Sequence, residues 1–107
     1  MTEGFIENIS SQMRKGYLEY CVLLLINKKP SYTSDLISEL KKAKLIVVEG
    51  TLYPLLNRLK NNGVLCYRWE ESTQGPPRKY YEMTPFGRQV LRDLEFTWEN
   101  INQVIVK

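Results

Sequence analysis

One stretch constrains this chain more than any other, the run from Glu49 to Gly87. Leu52, Leu55, Leu56 and Leu59 recur at helical spacing and make one apolar stripe. Thr51, Tyr53, Asn57, Arg58 and Lys60 fall mostly on the other side. Asn61-Asn62-Gly63 ends that helix, because glycine takes the left-handed conformation at no steric cost. Two short runs rich in aromatic and β-branched residues follow, Val64 to Trp69 and Lys79 to Met83. Ser72-Thr73-Gln74-Gly75-Pro76-Pro77 between them reads as a loop that does not continue a ladder. Thr84-Pro85 opens the next helix, with Thr as N-cap and Pro at the first helical position. A helix with a polar outer face, followed by a basic-tipped hairpin, outlines a winged helix.

The words EGTLYPLLNRLKNNG, RWEE, GPPRKYY and TPFGR, in that order over about forty positions, resemble the PadR family of bacterial transcriptional regulators. The glycine- and proline-bearing segment before Arg78-Lys79-Tyr80-Tyr81 is the most specific part of the resemblance. What it implies is a winged-helix DNA-binding domain, a dimer built through the last helix, and usually repression. Family members often carry Ser before the Glu-Gly-Thr word, where this chain has Val48. Capping of the recognition helix then passes to Glu49 or Thr51, or that helix end is looser.

Upstream, Phe5, Ile6, Ile9 and Met13 line one face of a short helix. Gly16 either joins two helical pieces or sits within one. Leu18, Val22, Leu25 and Ile26 give a core stripe, ended by Lys28-Lys29-Pro30. Ser31 reads as the cap of a second helix reaching about Lys44, with Leu36, Ile37 and Leu40 buried. Leu45-Ile46-Val47-Val48 suits a short strand paired with the hairpin. From Pro85 onward, Leu91, Leu94, Trp98, Ile101 and Ile105 alternate by three and four residues, a coiled-coil-like seam. Phe86 and Val90 pack on the domain, and the helix outruns the core such a domain can offer.

The expected fold is therefore mainly α with a small β-hairpin wing. Residues 1–84 form a winged helix-turn-helix DNA-binding domain with an N-terminal helix, and residues 85–107 form a C-terminal dimerisation helix. Lys28, Lys29, Lys41, Lys42, Lys44, Arg58 and Lys60 stand against Asp35, Glu39 and Glu49 in residues 28–60, a net of +4. Residues 85–107 are neutral. Excess positive charge thus sits in the half expected to meet DNA, although lysine clusters are ordinarily just solvated helical faces. The expected DNA-binding residues are Thr51, Tyr53, Asn57, Arg58 and Lys60 on the helix, with Gln74, Gly75, Arg78 and Lys79 on the wing. Arg reads guanine and Asn adenine, while Thr, Tyr and Lys more often hold phosphates. The plain alternatives are an exposed helix that never touches DNA, and a charged strand end that guards an edge.

Several classes are set aside. The chain has no histidine, which removes the commonest general base and the usual triads, so no enzyme is expected. Cys21 and Cys66 lack metal-site spacing and read as buried thiols, so neither metal nor cofactor is expected. Trp69 shares a strand face with Leu65 and Tyr67 and reads as core. Tyr80 and Tyr81 face opposite ways, so only one of them is core. The longest apolar run, Tyr20 to Ile26, is far short of the ~20 residues a membrane span needs. Phe5-Ile6 among Glu3, Glu7 and Asn8 makes no signal peptide, so a cytoplasmic protein is expected.

The expected partners are double-stranded DNA and a second copy of the chain. A protein–protein adaptor is the alternative, and Arg58, Lys60, Arg78 and Lys79 argue against it. Phe96-Thr97-Trp98 with Ile101 and Ile105 is similar to the last helix of small multidrug-sensing PadR proteins. That resemblance implies a planar aromatic small molecule stacked between paired Trp98 indoles, with Asp93, Glu95 or Glu99 favouring a cationic one. The competing reading is that the indoles pack on each other or on the N-terminal helix and leave no hole.

Overall fold

A computed structural model describes residues 2–72 and 75–106. Helix α1 spans Thr2–Lys28 without a break, and Gly16 lies inside it with open space around it. At 1.5 Å per residue α1 is about 40 Å long, and only its second half meets the domain. Leu18, Val22, Leu23 and Ile26 are buried there, and Leu25 is only half-buried. Phe5, Ile6, Ile9 and Met13, in the first half, lie exposed.

The chain after α1 departs from the sequence reading. Ser31 is no helix cap. Ser31–Tyr32 form strand β1, antiparallel to a later strand with Ser31 opposite Tyr81 and Tyr32 opposite Tyr80. The Ser31 hydroxyl donates back to the Lys29 carbonyl at 2.9 Å. Helix α2 spans Thr33–Lys42, and the Tyr32 N–H donates to the Asp35 carboxylate at 3.0 Å where the helix begins. Leu36 and Leu40 are buried and Ile37 is half-buried.

Nor do residues Leu45 to Val48 form a strand. Lys44 takes a left-handed φ of 65°, and the Leu45 N–H donates to the Leu40 carbonyl at 2.8 Å. This turn carries the β-branched run beside Arg14 and Leu18 of α1, away from the hairpin. Leu45 and Val47 are half-buried while Ile46 and Val48 are exposed.

Helix α3 spans Glu49–Asn61 and buries Leu52, Leu55, Leu56 and Leu59. Its N-cap, Val48, has the extended backbone of a cap but no side-chain hydrogen bond to offer. Gly63, at φ 78°, then turns the chain into the hairpin. Strands β2 (Leu65–Ser72) and β3 (Gly75–Met83) are longer than expected, and Pro76-Pro77 lie inside β3. The sheet order is β1-β3-β2. Because β1 reaches only Tyr80 and Tyr81, the rest of β3 toward the tip has one free edge where proline breaks no bond. The pairing with β2 is also irregular there, between Glu70 and Ser72.

Helix α4 spans Pro85–Ile105. The Thr84 hydroxyl oxygen accepts from the Gly87 N–H at 2.8 Å, as a cap should. Gly87 is fixed by contact: a Cβ there would lie 2.0 Å from the Val64 carbonyl oxygen. Val90 is half-buried against the core, whereas Phe86 is exposed. The chain measures 49 × 33 × 24 Å with a radius of gyration of 15.5 Å, against about 13 Å for a compact chain of 100 residues. The excess comes from the two long helices.

Candidate nucleic-acid interface

Each residue of an α-helix advances about 100° around the axis, and the four buried leucines fix which way α3 faces. Asn57 lies near the middle of the exposed arc. Tyr53 and Lys60 form the edge toward the hairpin, and the Lys60 ammonium lies 5.8 Å from the Tyr67 ring centre. Thr51 and Arg58 form the opposite edge, toward α1. Arg58 is not free there, because its guanidinium is ion-paired with Glu19 of α1. All five side chains are exposed.

On the wing, Arg78 and Lys79 are adjacent in sequence and point to opposite faces of β3. Arg78 lies over the Tyr32 ring at 4.0 Å from its centre and donates to the Ser34 hydroxyl at 3.5 Å. Tyr32 in turn packs on Tyr80 at 4.8 Å, and Arg68 lies 4.7 Å from the Tyr80 ring centre. Lys79 goes to the other face, 4.5 Å from the Tyr67 ring centre. So one wing cation is held against the start of α2, and the other leans toward α3. Gly75 is exposed at the tip with φ 150°, and Gln74 lies outside the described residues.

Between wing and helices lies a cleft of about 470 Å³, lined by Tyr32, Thr33, Ser34, Glu49, Tyr53, Trp69 and residues 76–79. The first residues of α2 and α3 both open into it, and helix N-termini favour anions. Glu49 is the opposing charge in that wall. Of the lining residues, only Tyr53, Arg78 and Lys79 were expected as site residues from the sequence. Tyr32 and Ser34 enter because β1 ties the start of α2 to the wing. Trp69, expected in the core, is 60% exposed. It lies four residues along β2 from buried Leu65, or about 13 Å, beyond the reach of the core. Spacing along the strand was the signal that could have shown it. Cys66 is likewise exposed on β2 and not buried. Cys21 is half-buried, and burial raises its thiol pKa. Tyr81 is the core tyrosine of the pair, at 1% exposure, with its hydroxyl pKa raised by burial and then by Tyr53 and Tyr67.

In α4, Leu91 is buried in its own domain, so it belongs to the core and not to an open seam. The open part starts at half-buried Leu94 and continues through Trp98, Ile101 and Ile105, all three exposed. The Trp98 ring lies 6.1 Å from Tyr20 of α1, tilted by 30°. The Tyr20 pKa is raised by burial first and then by Glu95, Cys21 and Glu99. Among the described residues no group of three or more His, Cys, Asp or Glu is placed to hold a metal. No helix among them is long and apolar enough to cross a membrane.

Comparison with known proteins agrees with this geometry. The model of the transcriptional regulator PadR-like family matches residues 22–93. A PadR-like transcription factor from Bacteroides fragilis is 60% identical, with a TM-score of 0.81 over 92% of this chain and 95% of that one. A PadR family transcriptional regulator from Eggerthella lenta is 30% identical, with a TM-score of 0.85 over 97% of this chain and 91% of that one. A protein of Lysinibacillus sphaericus is 27% identical over 100 residues, 91% of this chain and 92% of its own length.

Proposed function

The chain belongs to the PadR family of DNA-binding transcriptional regulators, and we propose that it acts as a homodimeric repressor on an inverted-repeat operator. The observation that carries this reading is how the exposed surface divides. A polar α3 face stands beside a cationic wing on one side. On the other, Phe5, Ile6, Ile9 and Met13 of α1 and Trp98, Ile101 and Ile105 of α4 are uncovered. A second copy is the self-complementary occupant for the apolar side. Pairing there sets two α3 helices outward, to enter successive major-groove faces about 34–36 Å apart.

In this reading Asn57 and the neighbouring α3 side chains read base edges, while Arg78, Lys79 and the exposed Gly75 tip hold the backbone. Bound dimer excludes polymerase, in the cytoplasm where the operator lies, and a signal that alters the dimer alters occupancy. Trp98 serves first as interface filling, since Tyr20 already covers part of the indole. A planar aromatic effector would enter between the two Trp98 indoles across the dimer axis.

Selection of genomic fragments by the purified protein, repeated at rising salt, tests the reading. The expected result is a preferred palindromic sequence, with affinity falling by about 0.9 log units per log of salt for each neutralised phosphate. Recovery of no preferred sequence at any salt would refute it.

A further inference from the structure

Packing within the chain does not account for Trp69. Its indole is 60% exposed, and Tyr67 meets it edge-on at 6.0 Å. Lys79, its partner in the ladder, holds an ammonium 5.5 Å from the ring centre. An indole left open to water is a large apolar surface with one polar edge, the kind of side chain that anchors interfaces. Trp69 also lies in the wall of the cleft between the wing and the starts of α2 and α3.

Charge selects the occupant. Arg78 and Lys79, on opposite faces of β3, both border this cleft, two helix N-termini open into it, and Glu49 is the one carboxylate among its lining residues. With α3 in a major groove and the wing on the flanking backbone, this cleft straddles one sugar–phosphate strand. The C–H face of a deoxyribose suits a flat indole, and its phosphate suits the adjacent ammonium.

We infer that Trp69 is a DNA-contact residue, its indole packed on the deoxyribose of the strand between α3 and the wing, with Lys79 at the neighbouring phosphate. The inference rests on the DNA-binding reading above. It makes Trp69 a contributor to affinity for any sequence, since sugars carry no base information.

The test titrates the full chain with the operator duplex recovered by selection, following tryptophan emission beside an independent binding signal. A saturable emission change is expected in the wild type and is lost in Trp69→Phe, where Trp98 remains as the reporter. Trp69→Ala is expected to weaken operator and unrelated duplex alike, by about tenfold, without changing the salt slope. Lys79→Ala is expected to flatten that slope. Should the wild type bind the operator while Trp69→Phe keeps the full emission change and Trp69→Ala binds equally well, the contact is refuted and DNA binding stands. Should the wild type bind no duplex, the DNA-binding reading itself fails and the contact goes with it.

Discussion

The α3–wing side and the α1–α4 side rest on the same small leucine-rich core and expose opposite chemistry. On the first, exposed side chains are mostly polar and hold one another: Arg58 on Glu19, Arg78 on Tyr32 and Ser34, Lys79 on Tyr67. On the second, two helices run beyond the core and leave apolar side chains exposed. Arranging cations on aromatic rings presents charge in a fixed geometry without burying it. Leaving isoleucines and an indole open is unfavourable in water unless a partner removes them from it. In the proposed reading, one side meets a polyanion and the other a second copy.

The largest effect is expected from putting a charge on the apolar side. Ile101 is about half exposed and lies outside the domain core, so Ile101→Asp should leave the winged domain folded. An unpaired carboxylate at the interface should dissociate the dimer and remove specific operator binding, read by sedimentation and gel shift. Leu94→Asp is a less clean probe, because Leu94 also packs on the core.

Next in size is the double change Arg78→Ala with Lys79→Ala. A dimer would lose up to four cations, weakening all sequences together by about a hundredfold at low salt and flattening the salt slope by up to about 3.6. Asn57→Ala should act instead on sequence preference, so the two variants separate backbone contact from base readout. A smaller effect is expected where the two sides touch. Glu19→Gln releases Arg58 from an exposed ion pair, a type worth about 0–1 kcal/mol. With two such pairs per dimer, operator binding measured by anisotropy should tighten by up to about thirtyfold. No change would mean that Arg58 stays on α1 in the complex.

Smallest is the end of α3. Val48 already has the extended backbone of an N-cap, at φ −101° and ψ 160°, and is exposed. Val48→Ser should stabilise the fold by about 0.5–1 kcal/mol in urea unfolding, by adding an acceptor for an unpaired helix N–H.

The two sides also differed in how far the sequence revealed them. Helical periods are long and repeated, so the stripe of α3 and the seam of α4 were legible, as were Thr84-Pro85 and Gly63 at their boundaries. The third strand was not, because two residues, Ser31 and Tyr32, carry no period at all. Its place went to Leu45–Val48, whose strand-like composition is overruled by the left-handed turn at Lys44. Trp69 and Cys66 were misplaced for a related reason: alternation shows which face a residue takes, not how far along the strand the core extends. Leu91 fitted the seam by spacing, but it lies early enough in α4 to be covered by its own domain. The direction of Arg58 depended on Glu19, thirty-nine residues away in the chain, which no local pattern displays.

In the proposed reading the apolar side makes the dimer and the α3–wing side meets DNA. Sedimentation of the protein at micromolar concentration, alone and with one equivalent of a duplex carrying a single inverted repeat, tests it most directly. A dimer is expected in both cases, two chains per duplex, with the free dimer unaffected by Arg78→Ala and Lys79→Ala. A free wild-type monomer, or one chain per duplex at saturation, would contradict it.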